Sequence, residues 1–179
     1  MNLYRTLYIY LTLALVAIFH NLVHESMHYI LARLSGVGIL EFRFLTNGFL
    51  TSQVVYATPV DARTGAQWLL IGLGPTAITV LIGYTVYLLR HRLITTWPPL
   101  NLAIWYLGAL FMTIDPVYIG FLSWFMQGSD ANATETVGLP SWPVRIVAMA
   151  LAVLGVWLVV QWRKEARTQV ERYALRTGG

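Results

Sequence analysis

The chain has 179 residues, of which 57% are hydrophobic and only 11% charged, and its mean hydropathy is +0.61. Soluble domains carry about 25% charged residues, so a water-soluble globule and a disordered chain are both excluded, and the composition is that of a polytopic membrane protein. Cysteine is absent, which leaves His, Asp and Glu as the metal ligands and excludes a thiol nucleophile. The net charge of +4 does not point to nucleic acid, because the cations sit at the ends of apolar runs rather than in a patch.

Four stretches are long and apolar enough to span a bilayer, at about residues 7–34, 66–89, 99–127 and 144–162, with a C-terminal tail over 163–179. The first is read as retained rather than as a signal peptide, since no small-x-small cleavage site follows Phe19. Between the first two stretches the period changes. Ile39 to Phe44 alternates, Asn47-Gly48 is a two-residue turn signal, and Gln53 to Tyr56 is β-branched or aromatic, which predicts a β-hairpin over about 39–56, either a surface connector between two helices or one whose Leu40, Phe42 and Phe44 face lipid or the bundle. The expected fold is an all-α polytopic membrane protein: one domain over 1–179, with four transmembrane helices and a hairpin between the first and second. A multi-pass protein of the cell membrane is expected, with the lipid bilayer as its surroundings and its oligomeric state left open. With the N-terminus inside, Arg5, Arg90, Arg92, Arg163, Lys164, Arg167, Arg172 and Arg176 lie on the inner side. Arg33, Arg43, Arg63 and Arg145 lie on the outer side, so the charge distribution favours cytosolic termini.

The first span contains His24-Glu25-Ser26-Met27-His28. On a helix, His24 and His28 share a face, and two imidazoles at that spacing can bind one zinc ion. Glu25 then points toward the open position of the metal, where it can take a proton from water. This is the H-E-x-x-H pattern of zinc proteases, and its chance expectation in this composition is about 0.002 occurrences. Polar residues inside a span are costly, which makes the cluster a functional candidate rather than a chance polar contact between helices.

Zinc needs a third protein ligand, and the acidic candidates are Asp115 and Asp130. At 1.5 Å per residue, His24 lies ~28 Å along its helix from Arg5 and Asp115 ~24 Å from Pro99, whereas Asp130 would lie ~46 Å from Pro99, beyond the apolar core. This arithmetic selects Asp115 and rejects Asp130. Pro116, directly after it, is expected to kink or loosen the helix and to free backbone carbonyls. His20, one turn before His24, is read as a hydrogen-bonded neighbour behind the ligands. His91, between Arg90 and Arg92, is read as solvated. Gly74, Pro75 and Thr76 in the second span are either a substrate-facing wall or a site of tight helix packing.

With these residues in place, the sequence resembles the site-2 protease family of intramembrane zinc metalloproteases. The resemblance rests on His24, Glu25 and His28 on one helix, Gly74-Pro75 on the next and Asp115 on the third. The order helix, hairpin, helix, acidic helix also matches that family, and Gly128 to Pro140 looks like a loop of its compact members. It covers most of residues 7–162. Pro116 stands where the family usually has Gly after its ligand, and Ile78 lies where it often has Asn. The resemblance implies a zinc metalloendopeptidase with Zn2+ as cofactor and a transmembrane protein or peptide as substrate, and it places the site nearer the cytosol, opposite to the charge count. Glu25 would be the catalytic base, and Ser26, Thr76, Thr79 and Thr113 would line a polar cavity. The hairpin, with Phe42 and Phe44 as substrate contacts, would accept an unwound substrate as an added strand. Two other readings are a pseudoprotease that binds membrane helices as an adaptor, and a metal or proton transporter using the same polar residues as a relay.

Overall fold

A computed structural model describes residues 3–46, 51–125 and 130–177. The Asn47-Gly48 turn lies outside the described residues. Among the described residues the chain is mostly helical, with four helices long and apolar enough to cross a membrane and one two-stranded antiparallel sheet. In chain order these are α1 (Leu3–Leu34), β1 (Ile39–Thr46), β2 (Thr51–Tyr56), α2 (Ala66–Leu88), the one-turn α3 (Arg90–Leu93), α4 (Pro98–Gly120) and α5 (Trp142–Thr177). Short 3-10 segments occur at Val60–Ala62, Leu122–Trp124 and Asp130–Val137.

Local chemistry sets the boundaries. α1 stops where Gly36 takes φ +72°, a left-handed conformation that glycine adopts without a steric penalty. Gly36 N–H then bonds to the Arg33 carbonyl at 3.1 Å and Val37 N–H to the Ala32 carbonyl at 2.9 Å, which is the Schellman pattern of a helix end. Val37 packs back onto buried Ala32. The hairpin runs in the register Ile39 to Tyr56, Phe42 to Val54 and Thr46 to Thr51. α4 continues through Pro116 rather than breaking there, and ends four residues later. Proline has no N–H for the Met112 carbonyl, and Gly155 of α5 lies against that carbonyl, where a Cβ would come to 2.9 Å.

Two small cores flank the space between them. Ala32, Trp68 and Ile71, with Ile39 and Tyr56, join the end of α1, the hairpin and the start of α2. Ile119, Ala131 and Ala148, with Val144, join the end of α4, the 130–137 segment and the start of α5. Both lie at the hairpin end of the bundle. The opposite end is tied by Arg90, whose guanidinium makes paired bonds of 3.0 and 3.1 Å to the two carboxylate oxygens of Glu165. Outward faces are apolar: Leu7, Leu11, Leu15 and Phe19 of α1 recur every four residues and are all exposed.

Three expected boundaries change. The third apolar span is described over Pro98–Trp124, with α4 itself stopping at Gly120 and a 3-10 turn following. The fourth begins at Trp142, and the expected tail from 163 onward continues the α5 helix to Thr177. These differences arise because hydropathy marks where the chain is apolar, while helices end where caps and turns end them.

Candidate metal centre

His24, Glu25 and His28 offer ligand atoms that all lie within 4.8 Å of one another. The helical spacing puts the two rings on one face of α1, with their Nε2 atoms 3.1 Å apart. Asp130 faces the same point from the other side: Oδ2 is 3.4 Å from His24 Nε2 and Oδ1 is 3.5 Å from His28 Nε2. Donors sharing one tetrahedral metal at about 2.0–2.1 Å lie roughly 3.3–3.4 Å from each other, and these separations, the two from Asp130 measured to different carboxylate oxygens, are close to that. Burial pushes the Asp130 carboxyl up, but the facing rings of His24 and His28 more than offset this and hold it below the usual carboxylate range.

The rejection of Asp130 by depth is thus overturned. That argument extended the third helix straight past residue 120, whereas the chain leaves α4 at Gly120 and returns through the 3-10 turn. Two features then hold the returning segment in place. Gly65 N–H bonds to the Thr136 carbonyl at 2.8 Å. Gly72 of α2 provides the room, since a Cβ there would overlap the Ala133 side chain.

Asp115 lies behind His24 rather than in front of it. Its Oδ2 accepts a hydrogen bond from His24 Nδ1 at 3.0 Å and another from the Thr79 hydroxyl. The two nitrogens of an imidazole point away from each other, so a carboxylate on Nδ1 cannot share a metal with Nε2 of the same ring. The expectation of Asp115 as third ligand is corrected accordingly. A carboxylate on Nδ1 favours the tautomer that carries its proton there, which leaves Nε2 able to serve as a ligand. His20 Nε2 stands 3.5 Å from the same oxygen, an ion-pair distance without hydrogen-bond geometry, and its ring meets Phe111 edge-on at 4.7 Å. His20 is thus a buried neighbour of Asp115. His28 Nδ1 has no hydrogen-bond partner among the described residues.

A cavity of about 730 Å³ opens on this group, lined by His24, Glu25, His28 and Asp130 together with Ser52, Gln53, Val54 and Tyr56 of β2. The Glu25 carboxylate is within reach of the Val54 backbone N–H. An adjoining cavity of about 300 Å³ reaches His28 and Asp130 past Asp61, Arg63, Glu135 and Thr136. Arg63 borders both, its guanidinium 4.9 Å from the ring centre of Tyr56 and 4.8 Å from that of Trp68.

The remaining expected contacts fall elsewhere. Gly74 lies under Leu31, where a Cβ would come to 2.5 Å, and Pro75 is fully buried, so this pair packs α2 against α1 and is not a cavity wall. Thr76 is half-buried and borders neither cavity. Phe42 packs edge-on against Tyr29 of α1 at 6.0 Å and Phe44 is exposed. Both belong to β1, whereas the strand that borders the cavity is β2. Of the four hydroxyl residues named as lining, none borders the large cavity, and Thr79 serves Asp115 instead. No family model, curated protein or solved structure matches the chain.

Proposed function

We propose that the chain is an intramembrane zinc metalloprotease that hydrolyses peptide bonds of membrane-spanning substrates, as its resemblance to the site-2 protease family implies. The observation that carries this reading is the convergence of His24 Nε2, His28 Nε2 and the Asp130 carboxylate on one point, with Glu25 beside it and a cavity in front. In this reading His24, His28 and Asp130 hold the metal, and Asp115 with Thr79 orients His24. When bound, zinc supplies a Lewis acid that polarises a carbonyl and makes water more acidic.

Glu25 takes the proton of the attacking water and returns it to the leaving amine. It is placed for both steps, being one residue from a ligand and lining the same cavity. The smaller cavity, with Asp61, Arg63, Glu135 and Thr136 in its wall, gives water a polar route to a site flanked by apolar helices. A helical substrate must unwind before its carbonyls can be attacked. The edge of β2 beside Glu25 offers backbone groups that replace those lost bonds by strand addition.

The test is cleavage of a transmembrane peptide by purified, zinc-loaded protein. Wild type is expected to cleave, and Glu25→Gln to lose about 10²–10⁴-fold in rate while zinc stays bound. Zinc binding without cleavage by wild type on any membrane peptide would favour the non-proteolytic adaptor.

A further inference from the structure

The fourth span supplies no ligand, yet one of its side chains grips the segment that carries Asp130. Arg145, in the first turn of α5, donates from Nη2 to Oδ1 of Asn132 at 2.9 Å, two residues beyond Asp130. Its guanidinium also lies over the ring of Trp124, 4.7 Å from the centre. Trp124 is in turn fixed to the end of α4, because its indole N–H donates to the Gly120 carbonyl at 2.7 Å. One planar side chain therefore spans the chain from just before to just after the entry into the ligand segment.

No carboxylate lies within ion-pair distance of Arg145 among the described residues, and its buried Nε has no hydrogen-bond partner there. A half-buried guanidinium without a counter-charge loses solvation that an aliphatic side chain would not. Its distinctive property is the rigid fork, which can hold two groups at a fixed separation where a flexible ammonium cannot. The far end of the segment has its own fastening, at Gly65 and Thr136, so at the end where Asp130 sits the Arg145 contacts act beside the packing of Ala131 on Ile119 and Ala148.

We propose that Arg145 is a positioning residue for the metal centre: by bridging Trp124 and Asn132 it holds the Asp130 carboxylate against His24 and His28. The proposal rests on the reading of Asp130 as a ligand. It makes α5 a determinant of metal affinity rather than a passive span.

The experiment uses the full chain in lipid nanodiscs and two readouts. Zinc affinity is measured by chelator competition, and amide hydrogen exchange of residues 130–137 is measured on metal-free protein. Arg145→Ala is expected to weaken zinc binding by about 10–100-fold, the range for residues that orient a ligand. It should also speed exchange of the segment, with exchange in α1 unchanged. Asn132→Ala, which removes only the hydrogen bond, should shift both readouts the same way by less, and Arg145→Lys should fall between Ala and wild type. These two milder variants keep the test open where Arg145→Ala does not fold. Trp157→Ala, at an exposed position of α5, should leave both readouts at wild-type values. Wild-type zinc affinity in both Arg145→Ala and Asn132→Ala overturns the proposal, whether or not exchange changes. A wild-type protein that takes no zinc sinks the metal reading itself. Exchange then decides Arg145 alone: faster exchange supports the clamp, and unchanged exchange removes it.

Discussion

His24 spends its two ring nitrogens on two different tasks. Nδ1 donates to Asp115, and Nε2 faces His28 and Asp130. Thr79 is fully buried and gives Asp115 a second donor, so the chain of contacts runs from α2 through α4 to the ligand on α1. Replacing Thr79 with Val keeps the volume and removes that donor. Thermal or denaturant unfolding should then show a loss of about 1–3 kcal/mol, since a buried carboxylate loses a hydrogen bond. Zinc affinity should fall as well, because the Asp115–His24 bond loses its support, whereas wild-type affinity in this variant would detach Thr79 from the site. Glu25, His24 and His28 were legible from sequence because their geometry is local: four residues along a helix fix it. Asp130 was not, since its approach depends on contacts with α2 and α5 far away in the chain.

At the scale of elements, the helices and the strands were legible from hydropathy and from the change of period at Ile39, whereas the end of α4 was not. Gly120, followed by a 3-10 turn through Trp124, stops a stretch that stays apolar to residue 125, and hydropathy cannot register that stop. Gly74 and Pro75 read as either a substrate-facing wall or a place of close approach; Gly74 meets Leu31, and Gly72, two residues earlier, meets Ala133. Gly72→Leu should therefore push the 130–137 segment outward and weaken zinc binding by about 10-fold or more, read by chelator competition. Gly74→Leu should instead cost about 1–3 kcal/mol of stability through overpacking against Leu31. For β2, the N–H of Val54 lies near Glu25. Val54→Pro should lower cleavage of a membrane peptide with zinc still bound. Unchanged cleavage in a folded variant would remove strand addition from the mechanism.

The whole molecule is a bundle whose polar group sits at one end, where α1, α2, α4 and α5 meet the hairpin and the returning segment. Its exposed face on α1, with Leu7, Leu11, Leu15 and Phe19 in a stripe, suits lipid and not water. The composition made this class legible at once, and the ion pair between Arg90 and Glu165 at the opposite end was not foreseen because 75 residues separate the partners. Orientation is testable with unusual ease, since the chain has no cysteine of its own. The distribution of Arg and Lys predicts that Leu139→Cys, at the metal end, is labelled by an impermeant maleimide from outside the cell and that Leu3→Cys is not. The reverse pattern would put the metal end in the cytosol, as the resemblance to site-2 proteases implies.

The most direct measurement is the zinc content of purified wild type, Asp130→Ala and Asp115→Asn, each across a range of free zinc. One zinc per chain is predicted for wild type, near-complete loss for Asp130→Ala, and retention with affinity reduced about 10–100-fold for Asp115→Asn. Full zinc in Asp130→Ala, or none in wild type, would contradict the metal centre described here.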